Sequence, residues 1–147
     1  VFDFVVVDFP DPSNHSLGKL YSTAFYRLLK QHVAETGRIV VQATSPMYAR
    51  ESFWTVVVSL EAAGWQTAPY HALVPSFGEW GFILAGRRDY RPPATIPVAT
   101  RFLTPDALPA LFHFPTDMAR IQAEPNRLDN QNLVRIFERE WGRVQAH

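Results

Sequence analysis

Two carboxylates stand three residues apart where an apolar run breaks off. In VVVDFPDPS, residues 5–13, Asp8 follows Val7, and Asp11 sits between Pro10 and Pro12. A strand that delivers an acid at its carboxyl end places it where open α/β sheets bind ligands. The proline-stiffened turn then allows Asp11 to face the same cleft. Gln42, in a second β-branched segment (RIVVQATS, residues 38–45), falls near the same sheet edge. Two acids and an amide could hold a cationic amine, and a carboxylate beside an amine can take its proton and leave a nucleophile. The plain alternative stays open at this level: Asp8 caps the turn and Asp11 is solvated, since Asp and Pro are ordinary turn residues.

The elements that must carry these residues follow from periodicity. Residues 1–9 form a nearly continuous apolar run, which suits a parallel strand buried on both faces. Residues 16–20 read as a loop. Ser22 reads as a helix N-cap, with Phe25, Leu28, Leu29 and Val33 as one stripe and Gly37 as the stop. After the second strand, residues 51–63 predict a helix ended by Gly64. WQTAPYHALV predicts an edge or irregular strand, because Pro69 lacks the N–H for a ladder bond. EWGFILAGR predicts a fourth strand, antiparallel to the third because the connection is short. The order β-α-β-α-β-β argues for an α/β fold with a parallel sheet and a terminal hairpin that adds one antiparallel strand.

From Asp89 the texture changes. RRDYRPPATIP reads as a charged, proline-rich linker, with Arg87, Arg88 and Arg91 solvated or close to a membrane. Thr104 with Pro105 predicts a short helix, and residues 129–144 predict a final amphipathic helix. The division expected is residues 1–88 as a partial catalytic domain and 89–147 as a helical C-terminal extension.

Composition narrows the function classes. The 147 residues carry 14 basic and 14 acidic side chains, so no polyanion-binding surface is indicated and no nucleic-acid partner is expected. The absence of cysteine removes thiolate chemistry, and the five histidines show no metal-ligand spacing, so no metal site is expected. No apolar run approaches the ~20 residues that span a bilayer. The chain opens inside a strand, which predicts a piece of a longer protein.

Taken together, the motifs resemble the polyamine aminopropyltransferases, the spermidine and spermine synthases. They are Asp8-Phe9-Pro10-Asp11-Pro12, Leu20-Tyr21 with Phe25-Tyr26, Gln42, and VPSFGEWGF over residues 74–82. The tail, FPTDMAR followed by NRLDNQNLVRIFEREW, is similar to bacterial members with an N-terminal membrane domain. The resemblance covers almost the whole chain. It implies the C-terminal half of a class I methyltransferase-like Rossmann fold. The implied reaction moves an aminopropyl group from decarboxylated S-adenosylmethionine, a co-substrate, to a diamine such as putrescine, with no other cofactor. It makes Asp8 the proton acceptor, Asp11 the acid that holds the acceptor amine, and Gln42 and Tyr21 substrate-binding residues. Pro12 and His15 fall in the loop over the nucleoside, where His15 replaces a common proline and reads as a surface residue.

Val74 stands where many members have tyrosine, so Trp80 is expected either to wall the amine pocket, in part by cation–π contact, or to pack the core. Trp54, Trp65 and Trp141 read as packing residues. The family's glycine-rich turn and ribose-binding acid would lie upstream of Val1, so the isolated piece is expected to be inactive. Its first strand would keep a free edge, which predicts a homodimer. The parent is expected to be bacterial, with a cytoplasmic catalytic part, free or attached to the inner membrane. The competing readings are an S-adenosylmethionine-dependent methyltransferase and a non-catalytic assembly domain.

Overall fold

The computed structural model describes all residues, Val1–His147. Four strands form one mixed sheet in the order β1-β2-β4-β3, with β1 Phe2–Val7, β2 Val33–Gln42, β3 Gln66–Val74 and β4 Gly78–Gly86. β1 and β2 are parallel, whereas β4 runs antiparallel to both β2 and β3. This is the α/β half-sheet with a terminal hairpin expected from the pattern, and Pro69 lies on an edge strand, where its missing N–H is tolerated. The helices are α1 His15–Gly18, α2 Thr23–Lys30, α3 Arg50–Ala62 and α4 Asn132–Gln145, with short 3-10 turns at Lys19–Tyr21 and Pro109–Phe112. No helix is long and apolar enough to cross a membrane.

The core lies on one face of the sheet. Val7, Ile39, Val41, Ile83 and Ala85 point from the strands to meet Phe53, Val56, Val57 and Leu60 of α3, and Leu133 of α4 joins them. These strand positions are all odd-numbered, as the two-residue side-chain period requires. The even-numbered face is largely free of helices. Phe2, Phe4 and Val6 are 61%, 57% and 65% exposed, so β1 is buried on one face only, not on both. Its apolar run predicts two-sided burial because both faces are apolar, but only one meets a helix layer. Residues 90–112 cover part of the even face, where Tyr90, Leu103, Leu108, Leu111 and Phe112 gather around Phe4, Val40, Tyr70 and Leu84.

The structure differs from five local expectations. α2 begins at the Ser22 cap, whose hydroxyl accepts from Phe25 N at 3.2 Å, but ends at Lys30, so Val33 and Gly37 belong to β2. Strand pairing overrides the helical period there: Phe2 N donates to His32 O at 2.8 Å. The register then jumps from Phe2↔Val33 to Phe4↔Arg38 across a bulge. Gly37 serves that bulge, since a Cβ would lie 3.0 Å from Phe2 O.

The segment read as a loop at 16–20 is α1 and a 3-10 turn, capped by Asn14, whose side chain accepts from Leu17 N at 3.0 Å. Thr104 caps a turn, with Ala107 N donating to its Oγ1 at 3.1 Å, and no α-helix follows. The last helix starts at Asn132, because Gln131 adopts a left-handed conformation (φ 38°).

Arg87 is not a solvated linker residue. It donates to Lys30 O at 2.7 Å and lies 3.3 Å from Glu35, so it clamps the α2–β2 junction.

The extension is tied to the core by specific polar contacts. Asn126 is fully buried: its side chain donates to Gly18 O at 2.9 Å and accepts from Leu133 N, while its backbone N–H donates to Ser59 Oγ at 2.8 Å. Trp54 Nε1 donates to Met118 O at 3.0 Å and Trp65 Nε1 to Tyr26 O at 3.0 Å, which makes both packing residues with satisfied N–H groups.

Candidate active site

The even face at the carboxyl ends of β1 and β2 opens into a cavity of about 460 Å³. Its lining follows the strand period. Val6 and Asp8 come from β1 and its end, Val40 and Gln42 from β2, Tyr70 and Val74 from β3, and Trp80 and Phe82 from β4. Phe77, in the turn between β3 and β4, completes it. Register accounts for the assembly: Gln42, Phe82 and Tyr70 form one cross-strand row, and Trp80 pairs with Ala72 in the next. The cavity is apolar on most sides, with one carboxylate and one amide at its mouth.

Gln42 links the two sides of this mouth. In the orientation that satisfies both ends, its amide nitrogen donates to Asp8 Oδ1 and its oxygen accepts from Trp80 Nε1 at 2.7 Å. The indole N–H can only donate, and an ionised carboxylate can only accept. The amide orientation is therefore dictated by its neighbours. Trp80 is 9% exposed and lies between Phe77 (ring centroids 5.4 Å) and Trp141 of α4 (6.3 Å). It thus both packs and walls the cavity.

Tyr21 and the second acid occupy the turn below. The Tyr21 hydroxyl donates to Phe9 O at 3.2 Å and Pro10 O at 3.1 Å, so this buried ring fixes the turn that separates Asp8 from Asp11. Burial first, then the charges of Asp11 and Asp8, hold the Tyr21 phenol well above its ordinary range. Asp11 does not line the cavity, and burial raises its carboxyl above the usual carboxylate range. Pro12 is buried, whereas His15 is exposed at the start of α1, where Nδ1 lies 3.2 Å from Gln131 Oε1 of the extension. The structure thus unites Asp8, Gln42 and Trp80, places Tyr21 as a support, and leaves Asp11 and His15 outside the cavity.

Sequence reasoning missed Val6, Val40, Tyr70, Phe77 and Phe82 as lining residues. The signal available was parity: the strand residues among them share the even positions of Asp8, Gln42 and Trp80.

The spermine/spermidine synthase domain family matches residues 1–92, which include every residue of the cavity. The chain is 62% identical over 143 residues to polyamine aminopropyltransferase 2 of Ralstonia nicotianae, covering 96% of this chain and 28% of that protein. It is 49% identical to the polyamine aminopropyltransferase of Leptospira interrogans, covering 98% and 29%, and 41% identical to that of Mycobacterium tuberculosis, covering 95% and 27%. The chain therefore spans just over a quarter of the length of the relatives it matches. With its acid at a strand end, its amide on the neighbouring strand and its matched span, this chain belongs to the spermine/spermidine synthase family.

Proposed function

We propose that the full-length protein carrying this chain is an aminopropyltransferase that moves the aminopropyl group of decarboxylated S-adenosylmethionine to a diamine such as putrescine. The observation that carries the reading is the Trp80–Gln42–Asp8 chain, which presents a carboxylate at the mouth of an apolar cavity. An aliphatic amine suits such a site: its methylenes lie against Val74, Phe77 and Trp80, and its cation meets Asp8. Asp8 takes a proton from the acceptor ammonium. The freed nitrogen lone pair attacks the methylene carbon on sulfur, the C–N bond forms, and the C–S bond breaks with its electrons on sulfur. Methylthioadenosine leaves as a neutral thioether, and the proton remains on Asp8 until solvent removes it.

The sulfonium is already an activated leaving group, so the chain's own task is to deprotonate and align. Asp11 supplies a second negative charge for a dicationic acceptor. Tyr21 holds the turn between the acids, and the loop of Pro12 and His15 lies on the nucleoside side.

The parts and setting of the protein belong to the same proposal. Residues 1–88 carry the acceptor half of the catalytic domain, and 89–147 brace it. The protein acts on small molecules without nucleic acid and forms a homodimer. Its catalytic part works in the bacterial cytoplasm, free or attached to the inner membrane, which fractionation of bacteria expressing the full-length protein would check.

The test is to supply the full-length protein with putrescine and either decarboxylated or intact S-adenosylmethionine. Spermidine and methylthioadenosine should appear from the decarboxylated donor only. Asp8→Asn should lower turnover by about 10²–10⁴-fold. Methyl transfer from the intact donor would replace this reading with a methyltransferase, and near-normal turnover in Asp8→Asn would remove the proton-transfer role.

A further inference from the structure

We infer that Trp80 is a positioning residue for the reaction, acting through Gln42 on Asp8 by way of its indole N–H and not only as a wall of the amine pocket. The inference rests on the aminopropyl-transfer reading above.

The argument starts from what each group can do. An amide in isolation is free to turn its oxygen or its nitrogen toward a neighbour, and the two faces are nearly equal in shape. Oxygen-first, Gln42 would set a partial negative charge against the Asp8 carboxylate. Nitrogen-first, it donates to that carboxylate. What selects the second state is the group on the other side of the amide, Trp80 Nε1, 2.7 Å from the amide oxygen. An indole nitrogen has no acceptor capacity, so it can only donate, and it bonds the amide through the oxygen alone. The indole is itself held: it is 9% exposed and wedged between Phe77 and Trp141, and it has little freedom to release the amide. Trp141 in turn donates from Nε1 to Thr44 Oγ1 at 3.0 Å, two residues beyond Gln42. The neighbouring backbone is pinned as well, since Ala43 N donates to Gly81 O at 3.0 Å.

Two consequences follow for the chemistry. Oδ1 of Asp8 is engaged by Gln42, which leaves Oδ2 as the oxygen for the amine proton. The carboxylate plane is also held against rotation, as a group that must meet one proton on one nitrogen requires. A ring that only packed would serve equally well without its N–H.

The experiment uses the full-length protein and a double-mutant cycle. Trp80→Phe keeps an aromatic wall and removes the N–H. Gln42→Leu removes the amide. Trp65→Phe is the matched control, because it also loses an indole hydrogen bond, the one to Tyr26 O, but lies outside the cavity and the group that holds Trp80. Wild-type transfer is measured first, and its absence with every diamine overturns the functional reading itself.

With activity present, Trp80→Phe should lower kcat roughly tenfold, the effect of losing one aligned hydrogen bond, with the donor KM unchanged. Trp65→Phe should leave kcat within about twofold of wild type. In the Gln42→Leu background, Trp80→Phe should add no further loss. Additive losses in the cycle would mean that Trp80 acts as a wall alone. Wild-type kcat in Trp80→Phe would overturn the inference outright. If Trp80→Phe unfolds, the single substitution Gln42→Glu decides: it keeps an acceptor for the indole but sets like charge against Asp8, and normal turnover there would equally overturn it.

Discussion

Asp11, proposed to hold the acceptor amine, lies outside the cavity and is not a stabilising residue either. Its side chain is exposed, yet the atoms packed around the turn partly desolvate its carboxyl and raise it above the usual carboxylate range. For an acid with a raised folded-state value, the stabilising contribution is complete below the ordinary value of 3.8 and is lost as pH rises through the folded value. At neutral pH the shift therefore works against the fold, but weakly, because Asp11 is exposed and water screens most of its charge. Asp11→Asn should raise the melting temperature at pH 7 and give no gain at pH 3, while raising the KM for the diamine more than that for the sulfonium donor. An unchanged or lower melting temperature at pH 7 would show that the carboxylate is satisfied in the native state. Tyr21, by contrast, spends its hydroxyl on two backbone carbonyls, so its contribution to the acids is the shape of the turn.

Among the elements, α4 has the largest unadvertised part. Helix α3 has Ala49 at its N-cap position and no capping side chain of its own. Glu140 of α4 supplies the cap from outside: its carboxylate accepts from Glu51 N at 2.9 Å, Ser52 N at 2.9 Å and Ser52 Oγ at 2.6 Å. A carboxylate there meets orphan N–H groups and the positive end of the helix dipole together. The Arg139–Glu51 ion pair lies beside it, and Trp141 reaches Thr44 and the Trp80 ring. Glu140→Ala should cost about 1–2 kcal/mol of stability in denaturant titration. Ser52→Ala should cost less, since the two backbone donors keep their acceptor. A neutral Glu140→Ala would mean that water replaces the cap.

At the scale of the whole molecule, the sheet ends on one side in β1, whose outer edge carries no ladder partner and whose even face shows Phe2, Phe4 and Val6. Such an edge between apolar side chains pairs readily with another strand. The 147-residue chain alone should sediment as a dimer that joins two first strands about a twofold axis. Phe4→Lys, which sets a charge on that edge strand, should shift it toward monomer. A wild-type chain that stays monomeric at all concentrations tried would remove the β1 interface. On the proposed reading this chain supplies acceptor-side residues and its motifs include no donor half, so the chain alone should also show no transfer with either donor.

What the sequence by itself determined were the features set by short-range rules. The strand–helix order, the Ser22 cap, the edge position enforced by Pro69, the hairpin implied by a short connection, and Asp8 at a strand's carboxyl end all follow from periodicity and turn chemistry within a few residues. The tertiary structure alone decided features that depend on distant partners. Val33 left the helical stripe for a strand because β1 offered it backbone hydrogen bonds. Burial of β1 on one face depended on where the helices came to lie. The cap on α3 comes from a residue 88 positions away, and no local pattern encodes such a distance. Asp8 and Gln42 could be named from their strand ends, but their link, its direction and its anchor in Trp80 exist only because three strands set even-numbered side chains side by side.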